Sequence, residues 1–94
     1  MIRYTAGYKH LDDGVHAQVL DFPAAITCAA DLAEARRLLA VALVDAAEAA
    51  VESGDPLPQP DPAATDPEMD IEEPIYLHLV GSSEVREVPA GAVS

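Results

Sequence analysis

Apolar and polar positions alternate along the first part of the chain. One face of residues 2–9 is apolar, and the alternation resumes over residues 15–19 after an Asp-Asp-Gly sequence. A period of two indicates half-buried strands, and Asp13-Gly14 is typical of a tight hairpin turn that needs positive φ angles. We therefore predict two antiparallel strands. A short third strand is expected at about residues 25–29, which contain two β-branched residues.

A helix is predicted from Asp31 to about Ser53. The Asp31 carboxylate can accept hydrogen bonds from the first-turn amides, Glu34 would complete a capping-box-like pair, and Gly54 is typical of a helix end. The apolar residues of this segment recur at helical spacing and predict one face that packs on the sheet. They are Leu32, Ala35, Leu39, Ala42, Leu43, Ala46 and Ala50.

Residues 55–74 predict an acidic, proline-rich linker. The segment has six prolines, seven acidic residues and no basic residue, which favours an extended and solvated chain. We expect residues 61–73 to be mobile in the free protein. Residues 75–80 restore a strand pattern, and residues 84–88 could form a short edge strand or a tail.

The order of the elements predicts one α+β domain over residues 1–94. In this β-β-β-α-β arrangement, one helix packs on one face of a small, mostly antiparallel sheet. A single helix leaves the second sheet face open, so that face can meet water or another subunit. A chain of 94 residues also builds only a modest core, which favours a homo-oligomer, most simply a two-fold dimer.

Five residues are candidates for binding a partner. Val41 lies in the middle of the polar helix face, and Leu38 and Val44 lie near the edges of that face. Tyr76 and His78 would lie on the open face of the sheet. An isolated exposed valine is ordinary, but a cluster of apolar residues on a polar face is also typical of an interface.

The charge balance narrows the choice of partners. The net charge is −12, from five basic and seventeen acidic residues. A chain this acidic repels the phosphate backbone of nucleic acids, so we expect no direct nucleic-acid partner, and it favours basic proteins. The single cysteine allows no intrachain disulfide, the N-terminus has no signal-peptide pattern, and no apolar run is long enough to cross a bilayer. We therefore expect a cytoplasmic protein without a membrane partner.

No catalytic, cofactor or metal site is predicted. Asp12, Asp13 and Asp21 could be taken for metal ligands, but Asp-Asp-Gly is turn chemistry and Asp21 ends a strand. The three histidines have no metal-ligand spacing. Cys28 has no evident histidine partner and is expected to be a small buried residue. These patterns predict a protein that binds another protein and is not an enzyme.

Four short motifs, in this order and spacing, resemble the HicB-like antitoxins of type II toxin–antitoxin systems. They are Asp-Asp-Gly at 12–14, Leu-Asp-Phe-Pro at 20–23, Ile-Thr at 26–27 leading to Asp-Leu-Ala-Glu-Ala at 31–35, and Ser-Gly-Asp-Pro-Leu-Pro-Gln-Pro at 53–60. The chain departs from the family pattern at Ala24, where glycine is usual, and at residues 29–31, which read Ala-Ala-Asp in place of Gly-Asp-Thr.

The resemblance implies a partial ribonuclease-H-like fold without nuclease activity. Family members bind a small basic ribonuclease of the HicA type and mask its active site, and many also have a C-terminal DNA-binding module. Only about fourteen residues follow residue 80 here, so we expect no such module. The first hypothesis is a HicB-like antitoxin domain that neutralises a basic toxin. The alternative is a stand-alone oligomeric HicB-like domain without a toxin, and a third is an enzyme that keeps ribonuclease-H chemistry.

Overall fold

The computed structural model describes residues 1–78 and 82–85, and these residues form one antiparallel sheet and one α-helix. The strand order in the sheet is β3-β2-β1-β4-β5, so the first strand of the chain is the central one. The predicted α+β fold, with one helix on one face of the sheet, is confirmed. The elements are β1 (Ile2–Leu11), β2 (Gly14–Val19), β3 (Ile26–Ala29), α1 (Leu32–Glu52), β4 (Ile71–His78) and β5 (Ser82–Val85).

The core lies between α1 and the face of the sheet that we call the inner face. Tyr4 and Tyr8 of the central strand are fully buried there and fill the space beneath the helix. The ring of Tyr4 also meets Phe22 edge to face, at 5.4 Å between centroids. The helix contributes small and branched residues, which are Ala35, Leu39, Leu43 and Ala47. The face assignment expected from the alternating pattern is therefore confirmed for β1 and β2.

The ends of α1 follow their predicted caps with one difference. The Asp31 carboxylate accepts a hydrogen bond from the backbone amide of Glu34 at 2.8 Å, and Ser53 is the C-cap. Gly54 has a φ of 74°, the left-handed conformation that glycine adopts without strain. The Glu34 carboxylate, however, binds Arg37 one turn along the helix, so the capping box is only half formed.

The β1–β2 turn differs from the predicted type. Leu11 pairs with Gly14, which leaves Asp12 and Asp13 as the two turn residues. Gly54 is the only residue with a positive φ in the described part of the chain, so the expected positive φ angles at Asp-Gly are wrong. Gly14 is required here for space, because a Cβ atom would overlap the carbonyl oxygen of Ala29. The Asp-Gly pattern thus predicted the position of the hairpin correctly, but glycine is needed there for space and not for a positive φ angle.

The strand β4 starts earlier than predicted and takes in part of the expected linker. It begins at Ile71 and contains Pro74, which pairs with Thr5 of β1. The amide and carbonyl of Thr5 both point away from β4, toward Asp21 and Leu20. A proline is tolerated opposite Thr5 because no ladder hydrogen bond is lost there.

Three predictions for the last part of the chain have mixed outcomes. Residues 79–80 of the predicted last strand and residues 86–88 of the possible edge strand lie outside the described residues. Residues 82–85 form β5, which pairs with β4. The mobility of residues 61–73 stays a prediction, although residues 71–73 belong to β4.

Asp21 holds the linker against the sheet at the point where β2 ends. Its Oδ1 accepts a hydrogen bond from the Thr5 amide at 2.9 Å, and its Oδ2 accepts one from the Asp61 amide at 3.0 Å. The Asp21 carboxylate therefore accepts the β1 hydrogen bond that a backbone carbonyl would accept if β2 continued. The same carboxylate also binds the linker at this point. This role explains Asp21 without a metal ion.

The linker then crosses the outer face of the sheet, the face opposite α1. Met69 lies over Gly7 so closely that a Cβ atom at Gly7 would be 2.8 Å from its Cγ and 3.1 Å from Cδ2 of Leu20. Asp70 completes the crossing, since its amide donates to the Tyr8 carbonyl at 2.8 Å and its carboxylate accepts from the His10 amide at 2.7 Å. The outer face is therefore partly covered by the chain itself.

Candidate partner-binding surface

The five candidate partner-binding residues occupy different surroundings. On α1, Val41 is 50% exposed, whereas Leu38 and Val44 are half-buried. On β4, Tyr76 is only 7% exposed and lies on the outer face opposite Arg3. Val44 and His78 line one groove together, and Leu38, Val41 and Tyr76 do not line it.

This groove runs beside the C-terminal half of α1 and has a volume of about 340 Å³. Apolar side chains form most of its lining, and two glutamates and a histidine complete it. We call it the carboxylate-rimmed groove. Its residues are Val44, Ala47, Glu48, Val51, Glu52, Leu57, Leu77 and His78.

The end of α1 concentrates negative charge. Its last turn contains no basic residue, and Glu48 and Glu52 lie four residues apart near the end where the helix dipole is negative. Basic residues are the usual complement at that end. On the other side of the helix, a depression of about 550 Å³ has Asp45 and Asp55 in its lining. Both flanks of the helix end therefore favour cationic groups.

A second cluster of polar side chains is internal. Glu73 is 8% exposed on the inner face of β4 and binds Arg36 of α1 in a bidentate ion pair. Nε of Arg36 donates to Oε2 at 3.0 Å and Nη2 donates to Oε1 at 2.8 Å. The guanidinium also lies 6.0 Å from the centre of the Tyr8 ring. This pair ties the helix to the sheet and presents no reactive group to solvent.

The Tyr8 hydroxyl lies in the same cluster. It is buried and makes no hydrogen bond of standard geometry to any residue that the structure describes. Burial raises the pKa of Tyr8 well above its ordinary value, and the negative charge of Glu73 raises that pKa further, while Arg36 lowers it. Tyr8 therefore remains neutral over the whole physiological range.

The outer face brings together a thiol and an imidazole that the sequence had not paired. Cys28 is exposed, so the expectation of a buried cysteine is wrong, and its Sγ is 3.9 Å from Nδ1 of His16. The two residues are direct cross-strand partners on β3 and β2. Within residues 1–78 and 82–85, no three side chains of His, Cys, Asp or Glu are arranged to hold a metal ion.

The described residues contain no helix with the length and apolar character needed to cross a membrane. The one α-helix carries glutamates, an aspartate and two arginines along its length.

Comparison with known proteins adds no relative to this picture. No protein-family model matches the chain, and no curated protein sequence matches it. The likeness to HicB-like antitoxins therefore rests on the four sequence motifs.

Most residues of the groove were not identified from the sequence. Val51, Leu57 and Leu77 come from the helix, the linker and the last long strand, so no single period relates them. A signal for the internal cluster was present, since Ile71, Glu73, Ile75 and Leu77 alternate in register. Pro74 concealed it, because a proline argues against a strand.

Removing one member of the buried ion pair should destabilise the protein. Arg36→Met leaves the Glu73 charge buried and unpaired, and we expect it to lower the free energy of unfolding by about 3 kcal/mol. Glu73→Met should cost less, because Arg36 is 25% exposed and can reach solvent. The double variant Arg36→Met/Glu73→Met should be within about 1 kcal/mol of the wild type, since an apolar pair replaces both charges. Urea unfolding of the four proteins measures these differences.

The exposed pair Glu34 and Arg37 provides the matched control for this cycle. Replacing both with Met should change the free energy of unfolding by less than about 1 kcal/mol. A double variant at 36 and 73 as unstable as Arg36→Met would contradict the account, because the cost would then come from packing and not from an unpaired charge.

Tyr8→Phe should alter how stability depends on pH. In the folded state Tyr8 keeps its proton, whereas in the unfolded chain a tyrosine loses its proton at about pH 10. Above that pH the unfolded state binds fewer protons, so Tyr8 makes the free energy of unfolding fall as pH rises. The variant should match or exceed the wild type at pH 7, because it removes a poorly bonded buried hydroxyl, and its advantage should grow in alkali. Urea midpoints at several alkaline pH values test this, and a constant difference at all of them would refute it.

Proposed function

We propose that this chain is a HicB-like antitoxin domain that binds and neutralises a small basic ribonuclease of the HicA type by protein–protein contact. In this proposal the protein is cytoplasmic, performs no catalysis itself and requires no cofactor. Its partners are the toxin and a second copy of this chain, and it makes no direct contact with nucleic acid or membrane.

One observation carries the proposal more than any other, and it is the distribution of charge. Residues 38–78 contain ten acidic residues and no lysine or arginine. They form the second half of α1, the linker and β4, where Asp45, Glu48, Glu52 and Asp55 are exposed. Such a surface steers a basic protein toward the chain and repels nucleic acid.

The two arginines of α1 do not cancel the negative potential of this surface, because each is paired with a glutamate. Arg36 is paired with Glu73, and Arg37 is paired with Glu34. The other two described cations, Arg3 and Lys9, are on β1 and point to the outer face, away from α1. The helix side of the molecule is thus the side that a basic partner would approach, which agrees with the toxin chemistry that the motifs imply.

The proposal is tested with the reading frame next to the one that encodes this chain. We expect that frame to encode a small basic protein that cleaves RNA. Expression of that protein should arrest the growth of the host cells, and co-expression of this chain should restore their growth. In purified form, the chain should abolish RNA cleavage once it is present at the molar amount of the basic protein. The empty vector is the control for growth.

Two outcomes would count against this function. One is a neighbouring frame whose basic product continues to cleave RNA when the chain is in excess. The other is metal-dependent cleavage of an RNA–DNA hybrid by the purified chain alone, which would favour the ribonuclease-H alternative.

The edge of the sheet at β3 supports the oligomer, which belongs both to the proposed antitoxin and to the alternative of a stand-alone oligomeric domain. Among the described strands, β3 has a neighbour on one side only, which is β2. Ile26 on β3 is 49% exposed, and the strand has no proline or charged residue to block pairing. An uncovered apolar edge strand is suited to pairing with its own copy across a two-fold axis.

Sedimentation of the purified chain at micromolar concentration tests the oligomer. We expect a dimer, of twice the 9.9 kDa of one chain, and a shift toward monomer in Ile26→Lys because a charge on an edge strand opposes pairing. Val41→Lys places the same charge at a similarly exposed valine on α1 and should leave the dimer intact. A thermally stable monomer for the wild type would show that the single layer suffices alone.

A further inference from the structure

The carboxylate-rimmed groove has the character of an incomplete apolar site. Its described lining is mainly aliphatic, and Val51 at its edge is 68% exposed. A large exposed aliphatic residue next to other apolar surface is typical of a place that a partner covers. At about 340 Å³, the groove is near the lower end of the range for small ligand pockets, which is roughly 300–1,000 Å³. It can accept one or two side chains of a docked segment.

The charge around the groove indicates the kind of segment that would supply those side chains. Glu48 and Glu52 lie along the helix side, and none of the described lining residues is lysine or arginine. The negative end of the α1 dipole adds to these carboxylates, since the last turn has no basic residue. An apolar side chain that enters the groove therefore finds cation-binding groups beside it.

We infer that the carboxylate-rimmed groove binds a basic amphipathic segment of a partner protein. In this arrangement an aliphatic side chain of the segment packs against Val51, Leu57 and Leu77, and lysine or arginine side chains one turn away pair with Glu48 and Glu52. The inference rests on the proposed function, since the basic toxin would supply the segment, and it names the surface that the proposed function left open.

The net charge argues against two other occupants. A second copy of this chain also carries −12 and brings five basic residues, of which Arg36 and Arg37 are already paired internally. An anionic lipid surface would be repelled by the same carboxylates. A basic polypeptide is the occupant that gains from both the apolar lining and the carboxylates.

The experiment uses a synthetic probe, which is a 14-residue amphipathic peptide of leucine, alanine and lysine with about four lysines. The matched probe has glutamate at each lysine position. Titration of the isotope-labelled full chain, followed by amide chemical shifts, should localise the lysine peptide to α1 after Val44, to Leu57 and to the end of β4. The glutamate peptide should cause no shifts at the same concentration.

Matched variants separate local recognition from general charge attraction. Glu48→Gln/Glu52→Gln should weaken binding of the lysine peptide about fivefold, the combined loss of two exposed ion pairs. Asp13→Asn/Glu68→Gln changes the net charge equally at exposed positions away from the groove and should change affinity by less than about twofold. Val51→Ser should weaken binding about fivefold through lost apolar contact, whereas Val41→Ser should not.

Four results would overturn the inference. Three of them are the absence of shifts with the lysine peptide, shifts centred on the outer sheet face or on Val41, and equal losses of affinity in the two charge-neutralised variants. The fourth is a set of shifts centred on the groove for both peptides, because the carboxylates would then have no role.

This result and the result for the proposed function can fail independently. Suppose that the neighbouring basic protein is not neutralised but the lysine peptide still maps to the groove with the expected variant pattern. The inferred binding site is then correct, and the proposed antitoxin function is wrong. If neutralisation succeeds and is unchanged in Val51→Ser and in Glu48→Gln/Glu52→Gln, the antitoxin function stands and the groove is not its surface.

Discussion

The carboxylate of Glu73 on the inner face of β4 constrains the fold, because it must meet the guanidinium of Arg36. A carboxylate on the inner face of a sheet is costly unless a cation meets it there, and the observed register brings Glu73 to Arg36. Glu73 lies opposite Ala6 of β1, which has a small side chain. A slip by one residue would turn Glu73 outward and bring Glu72 or Pro74 inward. The pair thus favours this register of β4 on β1, and β4 in turn positions the end of the linker and β5.

The first half of the linker is held by polar contacts at Pro58 and Asp61. The Tyr4 hydroxyl donates to the Pro58 carbonyl at 2.8 Å, and Asp21 accepts from Asp61 where the chain turns round the end of β2. Proline supplies stiffness in such a segment, and each of these contacts satisfies a group that would otherwise need water. An acidic segment that appears featureless in composition can therefore follow one path. The same path carries its acidic residues from the end of α1, at Asp55, to the outer face of the sheet, at Asp70.

The sequence predicted the parts of the fold that depend on local period and on caps. The alternation in β1 and β2 placed Tyr4 and Val19 in the core, and Asp31 and Gly54 marked the ends of the helix. The start of β4 was missed because Pro74 and its acidic neighbours resemble linker, and only the pairing partner Thr5 explains why a proline fits. The exposure of Cys28 was missed because an edge position depends on strand order. The groove was missed since Val51, Leu57 and Leu77 become neighbours only when three segments meet.

The central place of β1 has a consequence for how the protein is made. The first strand to be synthesised needs partners on both sides, and its second partner, β4, ends at residue 78, well after α1 ends at residue 52. At roughly 5–20 residues per second, translation of the residues between them takes about one to five seconds. During this interval the β1 edge is open and Arg36 lacks the carboxylate of Glu73. The nascent chain is then most prone to pair with a foreign strand.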